Sequence, residues 1–130
     1  MSSVPLEVVQ FARSFVRSLE DLQVFMVCAD QHDRWWDADA LARRIFISEA
    51  RATRALDNLA RANLLDIRIS DAVRYRFNPG TAELATRTAA FISAYHQSPT
   101  QIVKLVARAD VPDSVRDFAD AFRIKRDDSR

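Results

Sequence analysis

A chain of 130 residues that is 48% hydrophobic and 28% charged lies in the soluble globular range and has room for one domain with its own core. Its formal net charge of +1 singles out no partner, and its one cysteine, Cys28, set in the apolar run Val24 to Ala29, excludes an internal disulfide and a cysteine-based metal site. No apolar stretch is long enough to cross a bilayer and no signal peptide opens the chain, so the expected location is cytoplasmic.

One glycine and four prolines leave few breakers, and these fall between apolar segments of helical period. Pro5 suits a first helical turn, with Val8, Val9, Ala12, Phe15 and Val16 on one face. Ser18 is an N-cap for a helix from about Leu19 to Ala29, in which Glu20 and Asp21 favour the helix dipole and Leu22, Phe25, Met26 and Ala29 point inward. A polar turn, Asp30 to Arg34, leads to Trp35-Trp36, a very short strand. Asp37 caps a helix with Leu41, Ala42 and Ile45 inward, and Ser48 caps another with Ala52, Ala55, Leu56 and Leu59 inward. Only Phe46 and Ile47 separate the two, and the small Ala42 stands where they cross, which predicts a helix-turn-helix.

Asn63 supplies a left-handed helix stop after Ala62. The alternating runs Asp66 to Ile69 and Val73 to Phe77, joined by Ser70-Asp71-Ala72, predict a hairpin. Its arginines lie on one face and Ile67, Ile69, Val73, Tyr75 and Phe77 on the other, with Trp35-Trp36 available as a third strand. Thr81 caps a helix carrying Leu84, Thr88, Phe91, Ile92 and Tyr95 on one stripe. Ser98-Pro99 starts another with Ile102, Leu105, Val106 and Ala109, and Pro112-Asp113 a last one with Val115, Phe118, Ala119 and Phe122, before a frayed tail from Arg123. The expected fold is mainly α with a small β-hairpin wing. A winged helix-turn-helix occupies residues 19–78, and residues 1–18 and 79–130 supply helices for dimerisation, because the apolar stripes at Phe11 to Phe15, Leu84 to Tyr95 and Val115 to Phe122 exceed what a small trihelical core buries.

Charge is unevenly placed. Residues 1–36 hold three arginines against five acids, whereas residues 37–77 hold eight arginines and no lysine against six acids. Arginine suits paired contacts to phosphate and guanine. The run from Ile47 to Leu65, with Ser48, Thr53-Arg54, Leu56, Asp57-x-Leu59 and Leu64, resembles the recognition helix and exit of MarR-type winged helix-turn-helix regulators of bacteria. In that family a glycine stands where this chain has Asn63. Family wings are also longer and carry glycine with Asp-x-Arg, so the clipped Ser70-Asp71-Ala72 turn argues against deep minor-groove insertion. The resemblance covers roughly residues 19–78 and implies a homodimeric, DNA-binding transcription regulator.

With Ala52, Leu56 and Leu59 inward, Ser48, Ala50, Arg51, Thr53 and Arg54 project outward from the first turns of that helix, the part that faces bases in a major groove. Arg51 or Arg54 then makes a paired contact to guanine while Ser48 and Thr53 hold phosphates. Alternatively the two arginines are solvated and paired with Glu49, Asp57 or Asn58 along the helix. Arg68, Arg74 and Arg76 on the hairpin either clamp a sugar-phosphate strand or form an ordinary polar face. Of Trp35 and Trp36, one is buried and one accessible. Tyr95 and His96 belong to packing between helices rather than to a ligand pocket.

Enzymatic classes lack their parts, since no nucleophile and histidine motif, phosphate loop or apolar carboxylate pair is present, and His32 and His96 stand apart without metal-ligand spacing. No cofactor or metal is expected. The leading function is a sequence-specific, double-stranded-DNA-binding regulator acting as a homodimer. The alternative is a winged-helix module that binds another protein and not DNA.

Overall fold

Four helix starts among the described residues are set by side chains that accept hydrogen bonds from otherwise free first-turn amides. Ser18 Oγ accepts from the Asp21 amide (3.0 Å), Asp37 Oδ1 from Ala40 (2.7 Å), Ser48 Oγ from Arg51 (3.2 Å) and Thr81 Oγ1 from Leu84 (3.0 Å). All four are the caps expected from the sequence. The computed structural model describes residues 4–109 and contains α1 (Leu6–Phe15), α2 (Leu19–Asp30), α3 (Ala38–Ile45), α4 (Glu49–Arg61), β1 (Leu65–Ile69), β2 (Val73–Phe77), α5 (Ala82–Gln97) and α6 (Pro99–Ala109). The helix expected from Pro112 lies outside the described residues.

Two helices end in left-handed residues that are not glycine. After α4, Asn63 takes φ 69°, the Leu64 amide donates to the Leu59 carbonyl and the Asn63 amide to Ala60, both at 3.0 Å, which is the paired Schellman stop. After α3, Phe46 takes φ 63° and the Ile47 amide donates to the Ala42 carbonyl at 3.1 Å. Asparagine tolerates this backbone. Phenylalanine does not do so cheaply, and the Phe46 side chain is 93% exposed, so no burial offsets the strain.

β1 and β2 pair antiparallel with Ile67 opposite Tyr75 and Leu65 opposite Phe77. Trp36 joins as a single bridge on the far side of β2: its amide donates to the Tyr75 carbonyl (2.7 Å) and the Tyr75 amide to the Trp36 carbonyl (2.8 Å). Because one residue's N–H and C=O point the same way, Tyr75 is spent on Trp36, and Ile67 faces it as a non-hydrogen-bonded pair. Trp36 is buried and Trp35 half-buried on the opposite face, as the strand alternation requires.

The apolar face of the hairpin is covered only at its root. Leu65 and Tyr75 are buried and Phe77 is half-buried, but Ile67, Ile69 and Val73 are exposed, Ile69 by 77%. Ile67, Ile69, Val73, Tyr75 and Phe77 share one face, as the alternation predicts, but the helices cover only its root and leave the tip exposed.

The core centres on phenylalanine rings from elements far apart in sequence. Phe11 (α1) stacks on Phe91 (α5) at 4.9 Å between centroids, Phe25 (α2) lies 6.0 Å from Phe11 and 5.6 Å from Phe91, and Phe77 (β2) meets Phe25 edge-on at 5.9 Å. Val8, Val16, Leu41, Leu56, Leu59, Ile102 and Val106 fill in around them. The stripes on α1 and α5 are therefore largely consumed inside the chain, with Phe11 rather than Val9 as the deepest side chain of α1. Phe15, Ile92 and Tyr95 of these stripes stay half-buried, and the third stripe lies outside the described residues.

Two substitutions test these packing arguments. Phe11→Ala should cost about 3–5 kcal/mol in urea unfolding, a large part of a typical domain's stability. Phe46→Gly should stabilise by about 1 kcal/mol, since the side chain buries almost nothing and glycine accepts positive φ; a loss of stability on that change would mean that Phe46 makes contacts beyond this chain.

Candidate nucleic-acid interface

The rotation of α4 about its axis is fixed by Ala52, Ala55, Leu56 and Leu59, all buried. Alanines at 42 and 52, also buried, let α3 and α4 approach closely. This leaves Ser48, Ala50, Arg51 and Arg54 exposed at the start of α4, with Thr53 half-buried between them. Ser48 uses its oxygen as the helix cap.

Both arginines turn toward α2, which packs across α4. Arg51 Nε lies 3.1 Å from Glu20 Oε2 and Arg54 Nη2 3.9 Å from Oε1 of the same carboxylate. Their own side chains stay 58% and 70% exposed, against 24% for Glu20. The helix-local partners considered from the sequence are used differently. Asp57 accepts from the Tyr75 hydroxyl at 2.6 Å, and Asn58 accepts from Arg61 at 3.4 Å.

The other cationic group is the polar face of the hairpin, where the Arg68 and Arg76 guanidinium carbons each stand 4.6 Å from the Trp35 ring centroid. Arg76 also pairs across the strands with Asp66 (3.5 Å), which accepts from Asn78 Nδ2 at 2.9 Å. Arg68 and Arg74 are direct cross-strand neighbours, a repulsive placement. It is relieved by Asp71, which receives Arg74 Nη1 at 3.0 Å. The Arg74 and Ser70 hydrogen bonds hold the Asp71 carboxyl below its ordinary range. Every predicted hairpin arginine thus lies on one face, prearranged by a tryptophan or a carboxylate.

Tyr75 connects the two groups. Burial, and then the Asp57 carboxylate it donates to, push its hydroxyl up to about 12. Behind it, Arg34 covers the Trp36 ring at 3.8 Å, and the buried Trp36 indole N–H has no hydrogen-bond partner among the described residues. Burial likewise raises the Cys28 thiol to about 12, as for an inert core residue.

Elsewhere the surface carries little chemistry. The Asp30 to Arg34 turn lines an open hollow in which His32 lies 3.5 Å from Asp33. His96 is exposed beside a half-buried Tyr95, ring centroids 5.9 Å apart. Among the described residues no group of three or more histidine, cysteine or acidic side chains is arranged to hold a metal, and no helix is long and apolar enough to cross a membrane.

Glu20 and Asp57 were the functional-region residues that pattern reading did not place. Glu20 reads as a dipole-favouring acid in a first turn, and Asp57 as part of the α4 motif and a helix-local partner of the arginines rather than as the acceptor for Tyr75. Their partners lie on other elements, beyond the reach of local spacing.

Helices α2, α3 and α4 followed by the β1–β2 hairpin, with Trp36 paired to the hairpin's inner strand, make this a mainly helical winged helix-turn-helix. No family model matches the chain, and no curated protein matches its sequence.

Tyr75→Phe should remove about 1–3 kcal/mol at neutral pH by leaving the Asp57 carboxylate without its donor. The folded state also retains the Tyr75 proton to a higher pH than the unfolded chain does. Its contribution is complete below about pH 10, the ordinary tyrosine value, and is lost as pH rises toward 12. Chemical denaturation across that window should show a fall in stability that is smaller in the phenylalanine variant.

Proposed function

We propose that this protein is a sequence-specific DNA-binding transcriptional regulator of the MarR-like winged-helix type, acting as a homodimer in the bacterial cytoplasm. The observation that carries this reading is the exposure of Arg51 and Arg54 on the opening turns of α4, beside a hairpin that gathers Arg68, Arg74 and Arg76 on one face. Helix α4 enters the major groove N-terminus first. Arg51 and Arg54 address guanine O6 and N7, Ser48, Ala50 and Thr53 lie against the strand backbone, and the hairpin arginines follow the adjacent phosphates. In a dimer two such helices reach half-sites about 34 Å apart. On α1 and α6, Leu6 and Val103 are exposed apolar side chains open to a second subunit.

A winged-helix adaptor that binds protein is the second reading. It is favoured by the exposed Phe46, Ile67, Ile69 and Val73, and by carboxylates that offset Arg51, Arg54, Arg74 and Arg76.

Fluorescence anisotropy with a duplex enriched from a random-sequence pool separates the two. A DNA regulator binds with an affinity that falls steeply between about 50 and 200 mM salt. Replacing Arg51 and Arg54 together by alanine should abolish the preference for the enriched duplex, at about 1–3 kcal/mol per lost paired contact, with the thermal midpoint nearly unchanged. Unaltered preference would remove these residues from the role, and no binding at low salt would favour the adaptor.

A further inference from the structure

Glu20 is poorly explained as a stability device. An ion pair to two exposed arginines adds little to folding. Yet its carboxylate is largely covered, sits on the first turn of α2 where the helix dipole favours its charge, and receives both candidate base-reading arginines from a different helix. It engages Arg51 through Nε, on the side edge of the guanidinium. The tip pair Nη1 and Nη2, which matches the two acceptors on the guanine edge, is the pair that this contact does not use.

We infer that Glu20 is a positioning residue for DNA recognition: it orients Arg51 before the duplex arrives and cancels part of the charge of Arg51 and of the more distant Arg54, making binding selective at the expense of indiscriminate attraction to phosphate. The inference rests on the DNA-binding reading above. Two physical effects act in the same direction. Holding a long side chain in its bound orientation removes an ordering cost from the specific complex alone. Neutralising one charge of two weakens the counterion-release term, which dominates binding to any sequence.

The test compares wild type, Glu20→Gln and Glu20→Ala for binding to a duplex of about 30 base pairs enriched from a random pool by the wild-type protein, and to sheared unrelated DNA, over a salt series. A site of that length holds two half-sites one helical turn apart. Both variants should bind unrelated DNA more tightly at low salt, with a log–log salt slope steeper by about 0.9 per protomer, and their preference for the enriched duplex should fall by about tenfold. In a background lacking both arginines, where no preference remains to be lost, Glu20→Gln should leave the affinity and salt slope for unrelated DNA unchanged, whereas an effect of Glu20 on fold or overall charge would persist there. Unchanged preference and slope in both variants, with wild type binding normally, would overturn the role of Glu20 alone. Failure of the wild type to bind any duplex at low salt would instead overturn the DNA-binding reading itself, and this inference with it.

Discussion

Tyr75 holds α4 and the wing in one frame. Its backbone is committed on one side to Trp36, and its side chain donates a 2.6 Å hydrogen bond to Asp57 on the outer part of α4. A hydrogen bond to a carboxylate is stronger than one between neutral groups. The buried setting of the ring strengthens it further and makes its loss costly. A two-stranded hairpin is marginal by itself in water, so this junction, together with Leu65 and Phe77 at the root, orients the wing.

Behind that frame, the aromatic core makes the outer helices part of the same mechanical unit. Phe11 and Phe91 belong to α1 and α5, yet they touch each other and Phe25 of α2. Helix α2 in turn carries Glu20. The position of the carboxylate that holds the arginines therefore depends on packing contributed by segments at both ends of the described chain. A change in α1 or α5 that loosened these rings would be felt at the α4 surface through α2.

Most of the architecture was legible in the sequence because it is governed by local rules. The caps at Ser18, Asp37, Ser48 and Thr81, the Asn63 stop, and the opposite faces of Trp35 and Trp36 follow from residue type and period alone. Three features were not legible, each for a reason of range or reach. The partner of Arg51 and Arg54 sits on another helix. The left-handed Phe46 violates the residue preference that would have announced it. The exposed tip at Ile67, Ile69 and Val73 depends on how far the helices extend beneath the hairpin, which alternation does not encode. Apolar stripes on α1 and α5 likewise show that a side chain needs cover, without saying whether the cover comes from the same chain.

The most direct measurement is a backbone and arginine side-chain NMR titration of the intact protein with an enriched duplex. The account predicts that perturbations concentrate at Ser48 to Arg54, including the Arg51 and Arg54 Nε–H signals, and at Arg68 to Arg76 on the polar face of the hairpin, while α5 and α6 stay unmoved. Perturbations centred instead on Phe46, Ile69 and Val73, with the α4 arginines unaffected, would contradict it.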